Sequence, residues 1–317
     1  MKKIYLSLSA IFFLVIVIGA GCSTPTIPLT EETDTQLTVA TTIAPVQLLV
    51  QAVGGGVVRV HNILPPGTSP HTFEPTPSSI KNLSDVNYVF AIGHELDGWV
   101  DGILSQHTNA TKIILDSDIP LREYTEVHAH GEETHGDEQE ETTNIHGEYD
   151  PHYWLSPNNA IIMIGSIEKT LSEAYPKHAE VFATNAASVI TELQAKDAIW
   201  KQQLDTLAQK DIVTFHDAFY YFADHFGLTV VATFEPFPGK QPTPQYLVHL
   251  EEEIKEHGVR AMYIEPDLAQ DALLSFAKDQ GIRVGILNPE GALTPGSTYI
   301  DLIDQNVQSI LETNQTR

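Results

Sequence analysis

The sequence contains little cysteine and few basic residues. One cysteine in 317 residues excludes a disulfide bond within the chain. Seventeen Lys and Arg against 42 Asp and Glu give a formal charge of −25. This balance argues against binding to nucleic acids or anionic membranes, because both require basic patches. An acidic surface can concentrate cations, although simple solubility explains the same charge.

The N-terminus has the pattern of an export signal. Lys2 and Lys3 precede an apolar run at 11–18, and small residues at 19–21 lead to Cys22. The run is too short for a convincing membrane span. We therefore predict a signal peptide at 1–22.

The end of this signal resembles a lipobox, in which the cysteine becomes lipid-anchored. Gly19 stands where such boxes usually carry Leu, so a chance cysteine beside an ordinary cleavage site remains the alternative. We predict lipid attachment through Cys22, which would hold the protein at the outer face of the cell membrane or in the periplasm. Residues 23–36 are acidic and rich in Thr and Pro, which is typical of a flexible tether.

The pattern from residue 37 onward predicts an α/β fold of two lobes. Short apolar runs of strand length alternate with helical stretches in both halves of the chain, which favours parallel sheets flanked by helices. Residues 177–209 lack Gly and Pro and carry apolar residues at three- and four-residue steps, as in one long helix. We predict an N-terminal lobe at 37–172 and a C-terminal lobe at 210–317, joined by this rigid helix.

Three of the fourteen histidines stand at the ends of predicted elements. His71 follows the turn after the second predicted strand, His152 precedes a predicted helix, and His216 ends a strand of the second lobe. Ligands of open α/β sheets gather at the carboxyl ends of strands. Two of the three, one from each lobe, therefore stand where a site would form, although each histidine alone is more often a core residue than a ligand.

Four other histidines lie in one acidic segment, residues 126–149. The segment has no Lys or Arg and cannot bury a core, so we predict that it is disordered. Imidazoles and carboxylates together bind transition metals, which favours a weak metal-collecting loop over a merely solvated insertion. Its histidines are His128, His130, His135 and His146.

Three longer segments resemble those of a known family. They read PPGTSPHTFEPTP at 65–77, DPHYWLSP at 150–157 and FHDAFYYFADHFGL at 215–228. They are similar to the signature segments of the zinc and manganese solute-binding lipoproteins of ATP-binding-cassette (ABC) importers, cluster A-I. The order and spacing of the segments, and the His-rich loop between the first two, also match the zinc-specific members.

The resemblance implies a function and a set of ligands. The chain would be a monomeric receptor that binds one Zn²⁺ tightly through His71, His152 and His216. It would deliver the ion to a membrane permease driven by a cytoplasmic ATPase, and it would catalyse nothing itself. Three neutral imidazoles favour Zn²⁺ over Mn²⁺, which prefers oxygen ligands, and manganese-binding relatives typically carry Glu where this chain has His216.

The fourth ligand of a tetrahedral zinc site is less evident. Many relatives have Asp near the end of the last strand, where this chain has Asn288. We expect either the Asn288 side-chain oxygen or a water or chloride ion there, while turn formation before Pro289 is the alternative role of Asn288.

Acidic residues near the three segments are candidates for orienting the imidazoles, since metal-bound histidines donate their second N–H to such groups. Asp150 is instead assigned to the turn that presents His152. The orienting candidates are Glu74, Asp217, Glu235 and Glu265.

Two other classes of function stay open at the level of sequence. Three histidines and a water also form catalytic zinc sites, so an exported zinc hydrolase is possible in principle. Against it, the chain has no His-Glu-x-x-His helix motif. An adhesin or surface protein with incidental metal is the other reading.

Overall fold

The computed structural model describes most of the chain after the predicted tether. The described residues are 36–314 except 77–78, 80–82, 107–108, 125–146, 237, 267 and 292. The predictions for the signal, the tether up to residue 35 and Cys22 therefore lie outside the described residues. The same is true of the four histidines of the acidic segment.

The first lobe is built on a parallel sheet of four strands in the order β2-β1-β3-β4. Val39 and Ala40 of β1 are fully buried, as expected for a central strand covered by helices on both faces. The strands are β1 Leu37–Thr41, β2 Val58–Asn62, β3 Tyr88–Ala91 and β4 Thr111–Ile114. The helices are α1 Ala44–Gly54, α2 Trp99–Leu104 and α3 Pro157–Ala174.

The second lobe repeats this arrangement with the strand order β6-β5-β7-β8, again all parallel. Gly227 and Gly281 end two of its helices in the left-handed conformation, which glycine adopts without strain. The strands are β5 Asp211–Thr214, β6 Thr229–Thr233, β7 Ala261–Ile264 and β8 Arg283–Ile286. The helices are α5 Tyr220–Phe226, α6 Pro244–Glu256, α7 Asp271–Gln280 and α8 Tyr299–Asn314.

One long helix connects the lobes. Helix α4, Ala179–Leu204, has 26 residues and spans about 39 Å at 1.5 Å per residue. It is shorter than the predicted range 177–209, because residues Pro176–His178 form a separate 3₁₀ turn and the helix ends before Asp205. The predicted fold class, two parallel-sheet lobes with a long connecting helix, is confirmed.

The lobes share a hydrophobic core. A continuous cluster of buried side chains runs from Val39 and Phe90 in the first sheet, through Leu193 and Trp200 of α4, to Ile212 of β5. Separating the lobes would expose this apolar surface to water, which is unfavourable. None of the helices in the described residues has the length and hydropathy needed to span a lipid bilayer.

Candidate metal centre

The three histidines of the signature segments lie on short turns that follow or precede regular elements. His71 is in the 3₁₀ turn Pro70–Thr72, and His152 immediately precedes the 3₁₀ turn Tyr153–Leu155. His216 lies two residues after the end of β5 and immediately precedes the 3₁₀ turn Asp217–Phe219. The first two belong to the first lobe and the third to the second lobe. Such turns present a side chain at the end of a rigid element, which suits ligand binding.

The structure brings these three side chains together. The Nε2 atoms of His71 and His152 are 3.1 Å apart, and the ring centroids of the three imidazoles are 5.2, 5.7 and 5.4 Å from one another. One ring nitrogen from each residue lies within 4.8 Å of the others. Ligand atoms about 2.0–2.1 Å from a tetrahedral zinc ion lie a little over 3 Å apart. Within the described part of the chain, this is the one group of three or more His, Cys, Asp or Glu side chains that could hold a metal ion.

His216 is oriented by Glu265 through a short contact between its ring Nδ1 and the carboxylate. His216 lies two residues after β5 and Glu265 directly follows β7, where the strand order of the second sheet reverses. Crevices at such points are the usual ligand sites of open α/β sheets. Since a carboxylate accepts hydrogen bonds, Nδ1 carries the proton and Nε2 is left with its lone pair for a cation.

Burial and charge act in opposite directions on His216. Burial lowers the pKa of the imidazole, but the charge and hydrogen bond of Glu265, assisted by Glu235 and Asp150, outweigh it and leave the pKa raised above 6.5. The same negative charge that favours the imidazolium favours a divalent cation. The site therefore has an electrostatic preference for either protons or metal.

His152 has an equivalent partner in Asp150. Asp150 Oδ1 accepts hydrogen bonds from the backbone N–H of His152 at 2.9 Å and from its ring Nδ1 at 2.8 Å. The predicted role of Asp150 in the turn is confirmed, and the contact with the ring is an additional role that the sequence reasoning missed. Both side chains are almost inaccessible, with 2% and 1% exposed. His152 Nε2 is thus the nitrogen available to a metal.

Of the four predicted orienting residues, only Glu265 contacts an imidazole. Glu74 is exposed and does not line the cavity at the histidines. Glu235 instead accepts hydrogen bonds from Gly239 N at 2.8 Å and Gln241 Nε2 at 3.3 Å, so it holds the following loop in place.

Asp217 is buried next to His216, but it does not bond to a ring. Within the described residues, its Oδ1 has no hydrogen-bond partner. Burial raises the pKa of Asp217 to about 7, with Glu265 adding to the rise. A carboxyl group with this pKa is protonated in about half of the molecules at neutral pH, so it adds less negative charge to the site than an ordinary Asp would.

The histidines line a cavity of about 90 Å³ between the lobes. His152 and His216 are buried, at 2% and 5% exposure, while His71 is half-buried at the mouth. Such a volume accommodates one ion with a water molecule and is far smaller than the roughly 300–1,000 Å³ of typical organic-ligand pockets. The other lining residues are Thr68, Ser69, Pro70, Thr72, Pro238, Gly239, Glu265, Pro266, Leu268, Asn288, Pro289 and Glu290.

Asn288 lines the cavity, but its side-chain oxygen belongs to a turn. Asn288 Oδ1 accepts hydrogen bonds from the backbone N–H groups of Glu290 and Gly291, each at 3.0 Å. These two bonds use both lone pairs of the amide oxygen. The geometry therefore supports turn formation, the alternative role of Asn288, rather than metal ligation.

Glu290 is a lining residue that the sequence reasoning missed. It is half-buried, and the turn that carries it is held to the His152 segment because Trp154 Nε1 donates to the carbonyl of Pro289 at 2.8 Å. The available signal was a carboxylate two residues after Asn288. The sequence could not reveal it as a lining residue, because the direction of its side chain depends on the turn.

Comparison with known proteins places the chain in a family. Residues 39–313 match the family model described as "Zinc-uptake complex component A periplasmic" (ZnuA). The zinc-binding lipoprotein AdcA of Streptococcus pneumoniae serotype 4 is 31% identical over 324 residues, which cover 99% of this chain and 61% of that protein. The zinc-binding protein AdcA of Streptococcus pyogenes serotype M3 is 28% identical over 284 residues, which cover 86% of this chain and 55% of that protein. The chain thus spans between 55% and 61% of the length of these two relatives.

Solved structures give the same result for the fold. A crystal structure of ZnuA superimposes with a TM-score of 0.76 at 24% identity, covering 88% of this chain and 99% of that one. Zn(II)-bound AdcA from Streptococcus pneumoniae superimposes with a TM-score of 0.70 at 28% identity, covering 89% of this chain and 58% of that one. Because the family model matches most of the chain, the resemblance seen in the three sequence segments is confirmed, and the protein belongs to the ZnuA family of zinc-uptake components.

Proposed function

We propose that the protein is an extracytoplasmic receptor that captures Zn²⁺ between its lobes and delivers it to the permease of an ABC importer. The observation that carries this proposal is the convergence of His71, His152 and His216, whose ring nitrogens lie within 4.8 Å of one another. Two of the three are oriented by buried carboxylates, as in histidine sites that bind zinc. The names of the zinc-binding relatives support the same reading.

Zinc fits this set of donors better than manganese does. The three ligands are imidazole nitrogens, and the buried carboxylates Asp150 and Glu265 contact the rings through Nδ1. Manganese prefers oxygen donors in an octahedral arrangement. One tight Zn²⁺ per chain is therefore the expected stoichiometry, with further weak binding in the segment 126–149.

The fourth coordination position is assigned to the Glu290 carboxylate or to a water molecule. Glu290 lines the cavity, whereas the oxygen of Asn288 would have to leave its turn to reach a metal. A single exchangeable ligand allows the ion to depart when the partner permease docks. Capture and release, rather than permanent retention, is what a delivery protein requires.

The site suits a receptor better than a hydrolase. A cavity of about 90 Å³ has room for the ion and a water but not for a peptide or ester substrate. The buried carboxylates that contact the imidazoles, Asp150 and Glu265, orient the rings and are not free to act as general bases. We propose that the protein acts as a monomer, catalyses no reaction, and is exported and anchored by a lipid on Cys22.

Metal titration of the purified protein tests the proposal. Calorimetry should give one tight Zn²⁺ site in the wild type, weaker binding of Mn²⁺, and loss of the tight site in His216→Ala. His249→Ala removes an imidazole that is exposed on α6 and is the matched control, expected to bind zinc like the wild type. Tight zinc binding that persists in His216→Ala would contradict the proposal, as would peptidase or esterase turnover by the zinc-loaded protein.

A further inference from the structure

The hydroxyl of Tyr221 bridges two backbone groups of the other lobe. Tyr221 lies on α5 of the second lobe, and its Oη accepts a hydrogen bond from the backbone N–H of Arg122 at 2.7 Å. The same hydroxyl donates to the backbone carbonyl of Asp150 at 3.2 Å. One side chain thus bonds to two segments of the first lobe at the point where they pair.

The two bridged residues also bond to each other. Asp150 N donates to the carbonyl of Arg122 at 2.9 Å, and the adjacent residues Glu123 and Tyr149 form an antiparallel bridge. The segment that contains Asp150 and leads to His152 is therefore held in two ways, by this pairing and by the hydrogen bond from the Tyr221 hydroxyl.

Helix α5 makes further contacts with the paired segments through the side chain of Arg122. The guanidinium of Arg122 pairs with Asp224 at 2.9 Å and lies over the ring of Tyr220, 4.3 Å from its centroid. The side chains of Arg122 and Asp224 are 32% and 67% exposed, whereas Tyr221 is 7% exposed and bonds to the backbone of the segment. Of these side chains, Tyr221 is the one that reaches the residue that orients His152.

The hydroxyl is in the right state to donate. Burial raises the pKa of Tyr221 to about 12, although the hydrogen bond from Arg122 opposes the rise. It is therefore protonated throughout the physiological range and has a proton to donate to the Asp150 carbonyl.

We infer that Tyr221 is a positioning residue through which the second lobe fixes Asp150 and thereby the ring of His152. This inference rests on the proposed function, since it concerns the same zinc site. The sequence of contacts is Tyr221 Oη to Asp150 O, then Asp150 Oδ1 to His152 Nδ1, which leaves His152 Nε2 facing His71. A ligand of one lobe is thus held in place by a side chain of the other, so that the site is fully ordered only when the lobes are docked.

The variant Tyr221→Phe tests this directly in the full-length protein. Removing the hydroxyl should weaken Zn²⁺ binding about tenfold, the lower end of the range for residues that support metal ligands. The d–d absorption of bound Co²⁺ should also change, because it reports the ligand geometry rather than the stability of the fold. Tyr263→Phe is the matched control, since it removes another buried hydroxyl that bonds to Asn314 instead of to the first lobe.

The possible outcomes separate the inference from the proposed function. If the wild type binds no zinc, both are overturned. If the wild type binds zinc and Tyr221→Phe has an unchanged affinity and Co²⁺ spectrum, only the inference fails. Equal losses of affinity in Tyr221→Phe and Tyr263→Phe would also overturn it, because the effect would then be a general one of lost packing.

A double-mutant cycle tests the route through Asp150. If Tyr221 acts on His152 through Asp150, then Tyr221→Phe should cost much less affinity in an Asp150→Ala background than in the wild type. Fully additive losses would overturn this route. Thermal unfolding of each metal-free variant, compared with the wild type, verifies that the affinities are measured on folded protein.

Discussion

Asp150 holds His152 at two points, accepting hydrogen bonds from the backbone N–H and the ring Nδ1 with the same oxygen, at 2.9 and 2.8 Å. This arrangement fixes the tautomer of the ring as well as its direction. The imidazole therefore presents Nε2 before any metal arrives, and binding does not have to pay for ordering the side chain. In the other lobe, Glu265 fixes the tautomer and direction of the His216 ring through its contact with Nδ1.

The variant Asp150→Asn should weaken zinc binding by roughly 10- to 100-fold, the usual cost of losing a partner of a metal-bound histidine. The amide keeps the shape but can present a donor to Nδ1, and it lacks the negative charge that makes the ring more basic. Calorimetric titration with Zn²⁺ measures the change. Asp116→Asn is a matched control, because Asp116 bonds to His94 at 3.1 Å outside the metal centre. A comparable loss of affinity in both variants would contradict the assignment.

Replacing Glu290 by Gln should weaken zinc binding more than replacing Asn288 by Ala. Glu290 is one of the two candidates for the fourth position, whereas Asn288 Oδ1 bonds to the backbone of its own turn. Asn288→Ala should instead lower the free energy of unfolding by about 1–2 kcal/mol, since two backbone N–H groups lose their acceptor. Zinc titration and chemical denaturation of both variants distinguish these effects. If Glu290→Gln binds zinc like the wild type, the fourth position belongs to water.

As the pH is lowered, zinc affinity should begin to decrease before pH 6.5 is reached. Burial lowers the pKa of His216, but Glu265 outweighs this effect, so the pKa of His216 in the folded protein is raised and protons compete with zinc at a higher pH than for an ordinary imidazole. In the zinc-free protein, the stability that this group contributes is fully present below about pH 6.5 and is lost as the pH rises through the raised pKa. The rise in Tm on adding zinc should therefore grow as the pH increases.

The variant Glu265→Gln provides the comparison for this pH dependence. Without the carboxylate charge the pKa of His216 should fall, and the loss of zinc affinity should move to lower pH. The affinity at neutral pH should also decrease because the ring loses its orienting partner. An identical pH profile in the wild type and the variant would show that Glu265 does not control the titration.

Local signals predicted most of the elements of the fold. Gly227 and Gly281, for example, mark in the sequence where helices α5, Tyr220–Phe226, and α7, Asp271–Gln280, end. The end of α4 was predicted too late. The helix ends at Leu204, and residues after it make contacts with distant parts of the chain. Gln209 Nε2, for example, donates hydrogen bonds to the carbonyls of residues 257 and 258. The sequence patterns also did not reveal α8.

The three histidines of the site could be predicted from their positions in the chain. His71, His152 and His216 stand at the ends of elements, and turn residues beside them mark those ends. Glu235 and Glu265 illustrate the limit, since each follows a strand and precedes a proline. Only Glu265 lies in the crevice between β5 and β7 beside His216, while Glu235 caps its own loop. This difference depends on strand order and side-chain direction, which the local sequence does not contain.

The acidic segment should be removable without loss of the tight zinc site. Its stem is closed by the bond from Tyr124 N to Glu148 O at 2.9 Å and by the bridge between Glu123 and Tyr149. Because the two segments of this stem are antiparallel and adjacent, an Asn-Gly turn can replace residues 126–146. The variant should keep one tight Zn²⁺ per chain and lose the weaker binding expected of His128, His130, His135 and His146.

Equilibrium dialysis at increasing zinc concentration measures both classes of site in this variant. A second variant that keeps the segment's length but changes its four histidines to Ser is the control, because it separates the imidazoles from the carboxylates. If the weak sites remain in the His-to-Ser variant and vanish in the deletion, the carboxylates bind the additional metal. If the tight site disappears in the deletion, the segment contributes to the centre itself, and three histidines are not sufficient to hold the ion.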